Sequence, residues 1–432
     1  MATAEILQLL RDYESRNVLF IEKDGSWPIV WERAKGTTVW DADGKKYLDL
    51  TGAFGVAAAG HANPNIIKAA RQQMGKLLHA MGDVHPHALK AELARELSRL
   101  TFERWAQRRG KTICCNSGFE SVEAALKTAM LATGKRDVIA FTGSYHGLGY
   151  GALNVTHRDF FRRPFHQQLR RFGKFVPFPQ DDSSLVRLQK QITRILQRNT
   201  TGAILVEPVQ ARGGIIVPPP EFLPMLRALA DKFGALLVLD EVYTGFGRTG
   251  KWFACEHSAV IPDLICLGKA LTGGFPLSAC VGRADVMDAA WPPSKGEAIH
   301  TSTFLGHPVG CAMALAQIRE IGRLDLCQRS EKLGQFLLAQ LDAVKSEKSK
   351  MKISARGLGL MAGLEIRLTG GSPGTVETFD VVKAMLKRGY ILLPEGEHGN
   401  VISFTPPLTI SKDELARVGL ALREILLDRY GV

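Results

Sequence analysis

The chain has no C-x-x-C pair and no Cys/His spacing of the zinc type, although it carries seven cysteines, at 114, 115, 255, 266, 280, 311 and 327. That excludes the usual structural zinc sites, and no metal is expected. An odd number of thiols argues for reduced cysteines in a cytoplasmic protein rather than a secreted disulfide framework. Long hydrophobic runs are also lacking: none approaches the ~18 residues of a membrane span. Gly52 to Gly60 is all small or apolar, but it is short and rich in Ala and Gly. The N-terminal residues show no basic stretch followed by a long apolar one, so no secretory signal is evident. Acidic residues are the scarcer sign, 43 Asp+Glu against 55 Lys+Arg, which leaves a formal charge of +12. A nucleic-acid reader would interleave basic and aromatic residues on one element. Here the basic residues are scattered, at Arg108-Arg109-Gly110-Lys111, at Arg170 to Lys174, and at Arg187, Lys190, Arg194 and Arg198 on one expected helix face. Such runs are ordinarily solvated, so neither nucleic acid nor membrane is expected as a partner.

What is present is enough chain for two lobes, since 432 residues exceed the size at which a single core stops growing. Strand-like apolar runs at Thr112 to Cys115, Val138 to Phe141, Ala203 to Val206, Ala235 to Leu239 and Leu264 to Leu267 alternate with helical stretches at Val122 to Thr133 and Pro224 to Lys232. That alternation predicts a mostly parallel α/β sheet flanked by helices. Beyond residue 315 the pattern changes to a helix over Arg329 to Lys345, a basic Ser/Lys stretch at Lys345 to Lys352, and short strands near Gly363 to Ile366 and Val401 to Phe404. The expected division is a large domain over 59–318 and a smaller α+β domain built from 1–58 and 319–432.

In a sheet of this kind, chemistry sits at the carboxyl ends of the strands. Asn116-Ser117-Gly118-Phe119-Glu120 follows one strand and opens a helix, so it suits either a phosphate or a plain N-cap. Asp240 and Glu241 end a strand, where one carboxylate is partly desolvated and needs a partner, and the other caps a turn. Gly245, Gly247 and Gly250 match G-x-G-x-x-G, but no helix face follows and the next strand ends in Gly268-Lys269 rather than an acid, which excludes a dinucleotide fingerprint. Lys269 stands at a strand end among small neighbours. Partial burial there lowers a lysine's pKa, and the neutral amine can form a Schiff base with a carbonyl. A lysine for an aldehyde, a carboxylate for a ring nitrogen and a helix start for a phosphate are together what pyridoxal phosphate requires.

The order of these motifs resembles the class III aminotransferases of pyridoxal-phosphate fold type I. The likeness runs from Trp40-Asp41-Ala42-Asp43-Gly44 to Pro406-Pro407-Leu408-Thr409 and is densest over Asp240 to Gly250, with Lys269 following. The resemblance implies that Lys269 holds the cofactor and moves the proton, Asp240 meets the pyridine nitrogen, and Val242 and Tyr145 pack on opposite ring faces. It assigns the phosphate to the backbone of Ser117, Gly118 and Phe119, and places Glu207 near the cofactor. Thr303 would reach the phosphate across a homodimer interface, so that two chains share each active site. Tyr243 stands where the family keeps a glutamine near the cofactor's phenolic oxygen.

Departures from the family speak to substrate. In its ω-amino-acid members a glutamate follows the Glu-Pro-Val-Gln stretch and pairs with an arginine before Pro-Leu-Thr. Here Ala211-Arg212-Gly213-Gly214 follows, and the second position is Ser403. The arginine that often follows Tyr-His-Gly is Leu148. Phe54 and Leu148 suggest an apolar pocket open to amines, while Arg212, or Arg162 or Arg163, is the candidate receptor for a carboxylate. The expected activity is transfer of an amino group between an amine or ω-amino compound and an oxo acid such as pyruvate. An aminomutase on the same scaffold, or a 4-aminobutyrate or ornithine-like aminotransferase, is the alternative.

Overall fold

The computed structural model describes residues 1–344 and 351–431, so most of the expected Ser/Lys stretch lies outside the described residues. Seven strands form the central sheet: β1 (Gly110–Cys115), β2 (Asp137–Phe141), β3 (Gly173–Val176), β4 (Thr201–Val206), β5 (Leu236–Asp240), β6 (Leu264–Leu267) and β7 (Ser278–Arg283). They lie side by side in the order β1-β7-β6-β5-β4-β2-β3. All neighbours are parallel except β7, which runs antiparallel to both β1 and β6. The sequence did not announce β7, because Gly282 interrupts its short apolar run. In the fold, a side chain at Gly282 would collide with Leu264 and Met287.

Every residue of β2, β4 and β6 is buried. Strands covered on both faces read as continuous apolar runs rather than alternating ones, which is why these three were legible. The covering helices are Gly118–Thr133, Leu185–Leu196 and Phe222–Phe233. In the second of these, Leu188, Ile192 and Leu196 face inward at intervals of four, leaving Arg187, Lys190 and Arg194 exposed. The first begins before the expected 122, because its first turn of capping and small residues carries no apolar period; the third begins two residues before the expected 224, with Phe222 and Leu223 both buried.

Chain ends meet in the smaller sheets. Trp31–Lys35, Thr38–Asp41 and Lys46–Asp49 form an antiparallel ribbon, and Tyr390–Ile391 joins its edge in parallel, Asp49 opposite Ile391. A second sheet, wholly antiparallel, contains Met351–Leu358, Met361–Leu368, Val401–Phe404 and Leu393–Glu395 in that order. The helix Pro308–Arg323 runs unbroken through the 318/319 division expected above. Thr244 to Gly250 makes a glycine turn, with Gly247 at φ 90° and Gly250 at φ 96°. This turn carries Arg248, fully buried, whose Nη1 donates to the carbonyls of Leu360 and Pro406. The glycines therefore position a buried tie to the C-terminal segment.

Candidate active site

The strand order brings several chain segments to one end of the sheet. Asp240 is the last residue of β5, Glu207 follows β4, Lys269 lies two residues past β6, Ser117 two past β1, and Tyr145 four past β2. Their loops surround a cavity of about 560 Å³, to which Phe54 and Glu395 also contribute.

Lys269 adopts φ 44°, a left-handed conformation that a non-glycine residue holds only where its surroundings enforce it. Its Nζ lies 4.5 Å from the centre of the Tyr243 ring. Burial lowers its proton affinity, opposed by the charges of Asp240 and Glu207, reinforced by Arg212 and opposed again by Glu395. Asp240 is 6% exposed; its Oδ2 lies 2.8 Å from His146 Nδ1, and its Oδ1 accepts from the Val242 N–H at 3.1 Å. His146, wholly buried, donates its backbone N–H to Thr156 Oγ1. His146 lies within the Tyr-His-Gly motif, and nothing local in the sequence shows that the fold sets it against Asp240.

Helix Gly118–Thr133 starts at the cavity. Glu120 Oε2 accepts from the N–H groups of Asn116 and Ser117, at 2.6 and 2.9 Å, which folds the turn back on itself. The N–H groups of a helix's first turn have no partner within the helix. Ser117 Oγ is buried with no hydrogen-bond partner among the described residues, and a Cβ at Gly118 would lie 2.9 Å from Val242 Cγ1. Gly118 thus lets Val242 close one side of the site. Gly118, Phe119, Tyr145, Glu207, Val242 and Tyr243 all line the cavity. Tyr243 Oη meets Thr405 Oγ1 at 3.1 Å, and burial raises this phenol to about 12.

Glu207 accepts from the N–H groups of Tyr145 and Ala211, at 3.0 and 3.1 Å. Burial, against the pull of His146, nevertheless raises its pKa to about 7. Between its ordinary value of 4.5 and that value the folded chain holds a proton that the unfolded chain has released, so stability falls as pH rises through this window. The loss attributable to Glu207 is at most about 3 kcal/mol. Urea titrations from pH 5 to pH 8 check this: Glu207→Gln flattens the decline, and an unchanged slope would show that Glu207 does not titrate there.

Of the expected substrate contacts, Phe54, Leu148 and Arg212 line the cavity. Phe54 holds φ 60° beside Ala53 at φ 49°, and both Phe54 and Leu148 are exposed at the mouth. Arg212 lies 4.9 Å over the Tyr145 ring, with its Nε 3.6 Å from Glu395 Oε2. Ser403 is buried in its strand between Gly363 and Leu393 and is not among the lining residues. Arg162 lies over the Phe175 ring, and neither it nor Arg163 lines the cavity. Thr303 is exposed and outside the lining of its own chain's cavity. Among the described residues no cluster of three or more His, Cys, Asp or Glu is placed to hold a metal, and no helix is long and apolar enough to cross a membrane.

The arrangement fits pyridoxal phosphate. It offers an amine whose proton affinity burial lowers for the aldehyde, a fixed carboxylate for the ring nitrogen, and a glycine-lined helix start with a serine hydroxyl that has no partner among the described residues for the phosphate.

A family model described as aminotransferase class-III matches residues 20–426. A putrescine aminotransferase of Pectobacterium atrosepticum is 38% identical over 441 aligned residues, covering 99% of this chain and 89% of that protein. A 5-aminovalerate aminotransferase of Pseudomonas aeruginosa is 35% identical over 419, covering 91% and 92%. The crystal structure of a thermostable (S)-enantioselective omega-transaminase from Thermomicrobium roseum matches with a TM-score of 0.90 at 27% identity, over 99% of both chains. A family match along nearly the whole chain, joined to this cavity, has one meaning: the chain belongs to the class III aminotransferases, pyridoxal-phosphate-dependent enzymes of fold type I.

Proposed function

We propose that this aminotransferase takes its amino group from a primary amine without a carboxylate and delivers it to an oxo acid such as pyruvate. The observation that carries the proposal is the cavity wall: among the described residues Arg212 is the one arginine lining it, and Arg212 is already drawn toward Glu395, while Phe54 and Leu148 make the mouth apolar. With Arg212 given to the oxo acid, a carboxylate at the donor's far end has no second arginine in that lining to offset its desolvation. The putrescine aminotransferase relative, named for an amine of this kind, supports the reading.

Bound pyridoxal phosphate supplies an electron sink for the donor's Cα. In the proposed assignment Lys269 and Asp240 are the catalytic residues. Lys269 Nζ, whose proton affinity burial lowers, would take the proton from the donor's Cα and deliver it to the cofactor's aldehyde carbon, and would move a proton the opposite way in the second half-reaction. Asp240, oriented by His146 and the Val242 N–H, holds the pyridine nitrogen protonated. Ser117, Gly118 and Phe119 hold the phosphate, Val242 and Tyr145 the ring faces, and Glu207 and Tyr243 the remaining edge. Arg212 receives the carboxylate of the oxo acid.

The working unit of the proposal is a cytoplasmic homodimer whose Thr303 reaches the partner's phosphate; exposed Phe54, Phe119, Leu148 and Phe304 are the apolar surface such a partner would cover. Each chain contributes a large domain and a small domain drawn from both ends. Steady-state assays with pyruvate as acceptor test the donor class. The amines putrescine and 1-phenylethylamine should exceed 4-aminobutyrate by at least about tenfold in kcat/KM, the lower range for a lost charged hydrogen bond. Better turnover of 4-aminobutyrate than of both amines would sink the proposal.

A further inference from the structure

Glu395 is a buried acid that the roles above leave without a task. It ends the strand Leu393–Glu395, is 8% exposed and lines the cavity. Among the described residues its Oε2 has no hydrogen-bond partner, and neither has Arg212 Nε, 3.6 Å away. That separation is too long for a hydrogen bond. The two charges therefore attract each other while an acceptor on one side and a donor on the other stay open. Arg212 rests over the Tyr145 ring, and Arg158, the second arginine acting on Glu395, gives its Nη2 to the Arg212 carbonyl. Neither guanidinium closes the open oxygen.

A buried carboxylate with an open lone pair is satisfied best by a small cation that brings its own N–H donors. Lys269 and Glu395 each alter the other's proton affinity, which puts both within electrostatic reach inside one cavity. Both side chains line that cavity, so a donor whose first nitrogen reacts beside Lys269 can reach Glu395 with its far end. We infer that Glu395 is the receptor for the distal ammonium of a short α,ω-diamine, a specificity assignment that rests on the amine-donor proposal above. The loop base Arg212 and the acid Glu395 then divide the two substrates, the oxo acid's carboxylate to one and the diamine's second nitrogen to the other.

Putrescine and butylamine differ by that second nitrogen alone and are the probes. In the cofactor-loaded enzyme with pyruvate, kcat/KM for putrescine should exceed that for butylamine by about tenfold or more. Glu395→Gln and Glu395→Leu should collapse this ratio by about the same factor, chiefly through the KM of putrescine. The ratio is insensitive to partial misfolding, which lowers both rates alike. Equal wild-type use of the two amines, or variants that lower both equally, overturns the role of Glu395 and leaves the amine-donor proposal standing. Failure of both amines while 4-aminobutyrate reacts overturns both.

Discussion

Replacing Lys269 with alanine lowers turnover by at least about 10⁴-fold, the upper range for loss of a positioned acid–base group, and removes the visible absorbance of protein-bound pyridoxal phosphate. The strand Leu264–Leu267 is followed by Gly268, and the left-handed Lys269 then turns its side chain over the Tyr243 ring, inside the cavity that Asp240 also lines. No neighbouring lysine lines that cavity among the described residues, so no second amine takes over. A melting temperature for the variant near that of the wild type separates lost chemistry from lost fold. Retained turnover in a folded variant would remove Lys269 from the reaction.

Asp240→Asn comes second in size. The substitution keeps the shape of the side chain and its place at the end of β5, but removes the negative charge that, in the proposed assignment, holds the pyridine nitrogen protonated. By comparison with other buried electrostatic groups, kcat should fall about 10²- to 10⁴-fold with little change in KM. Among the described residues Asp240 is the one partner of His146 Nδ1, so the pair responds as a unit, and Asp240→Glu recovers part of the loss if charge is what matters. A kcat within tenfold of wild type would mean that another group sets the ring nitrogen's state.

How much of this could be read from the sequence follows from physics. Buried parallel strands advertise themselves, because a strand covered on both faces must be apolar throughout, and β2, β4, β5 and β6 were therefore placed to within two residues. β7 was not, since its glycine exists to admit Leu264 and Met287 and breaks the pattern that marks a strand. Lys269 and Asp240 stood out because a charge at the end of an apolar run demands a reason. His146 and Glu395 gave no such signal: each is an ordinary residue locally, and only the fold sets one against Asp240 and the other beside Arg212. Ser403 shows the converse, a position singled out from the sequence whose strand pairing with Gly363 and Leu393 leaves it outside the cavity lining. The positive charge has sharpened too. Among its carriers, Arg187, Lys190 and Arg194 are exposed on one helix, whereas Lys269 and Arg212 are the bases that line the cavity.

The account stands or falls on amino transfer in two separable halves. Cofactor-loaded enzyme mixed with putrescine, without any oxo acid, should release about one carbonyl product per active site and stop; once the unreacted putrescine is removed, adding pyruvate should yield an equal amount of alanine and restore the initial spectrum. Continued product formation without an oxo acid, as an aminomutase would give, or no product until pyruvate is present, contradicts it.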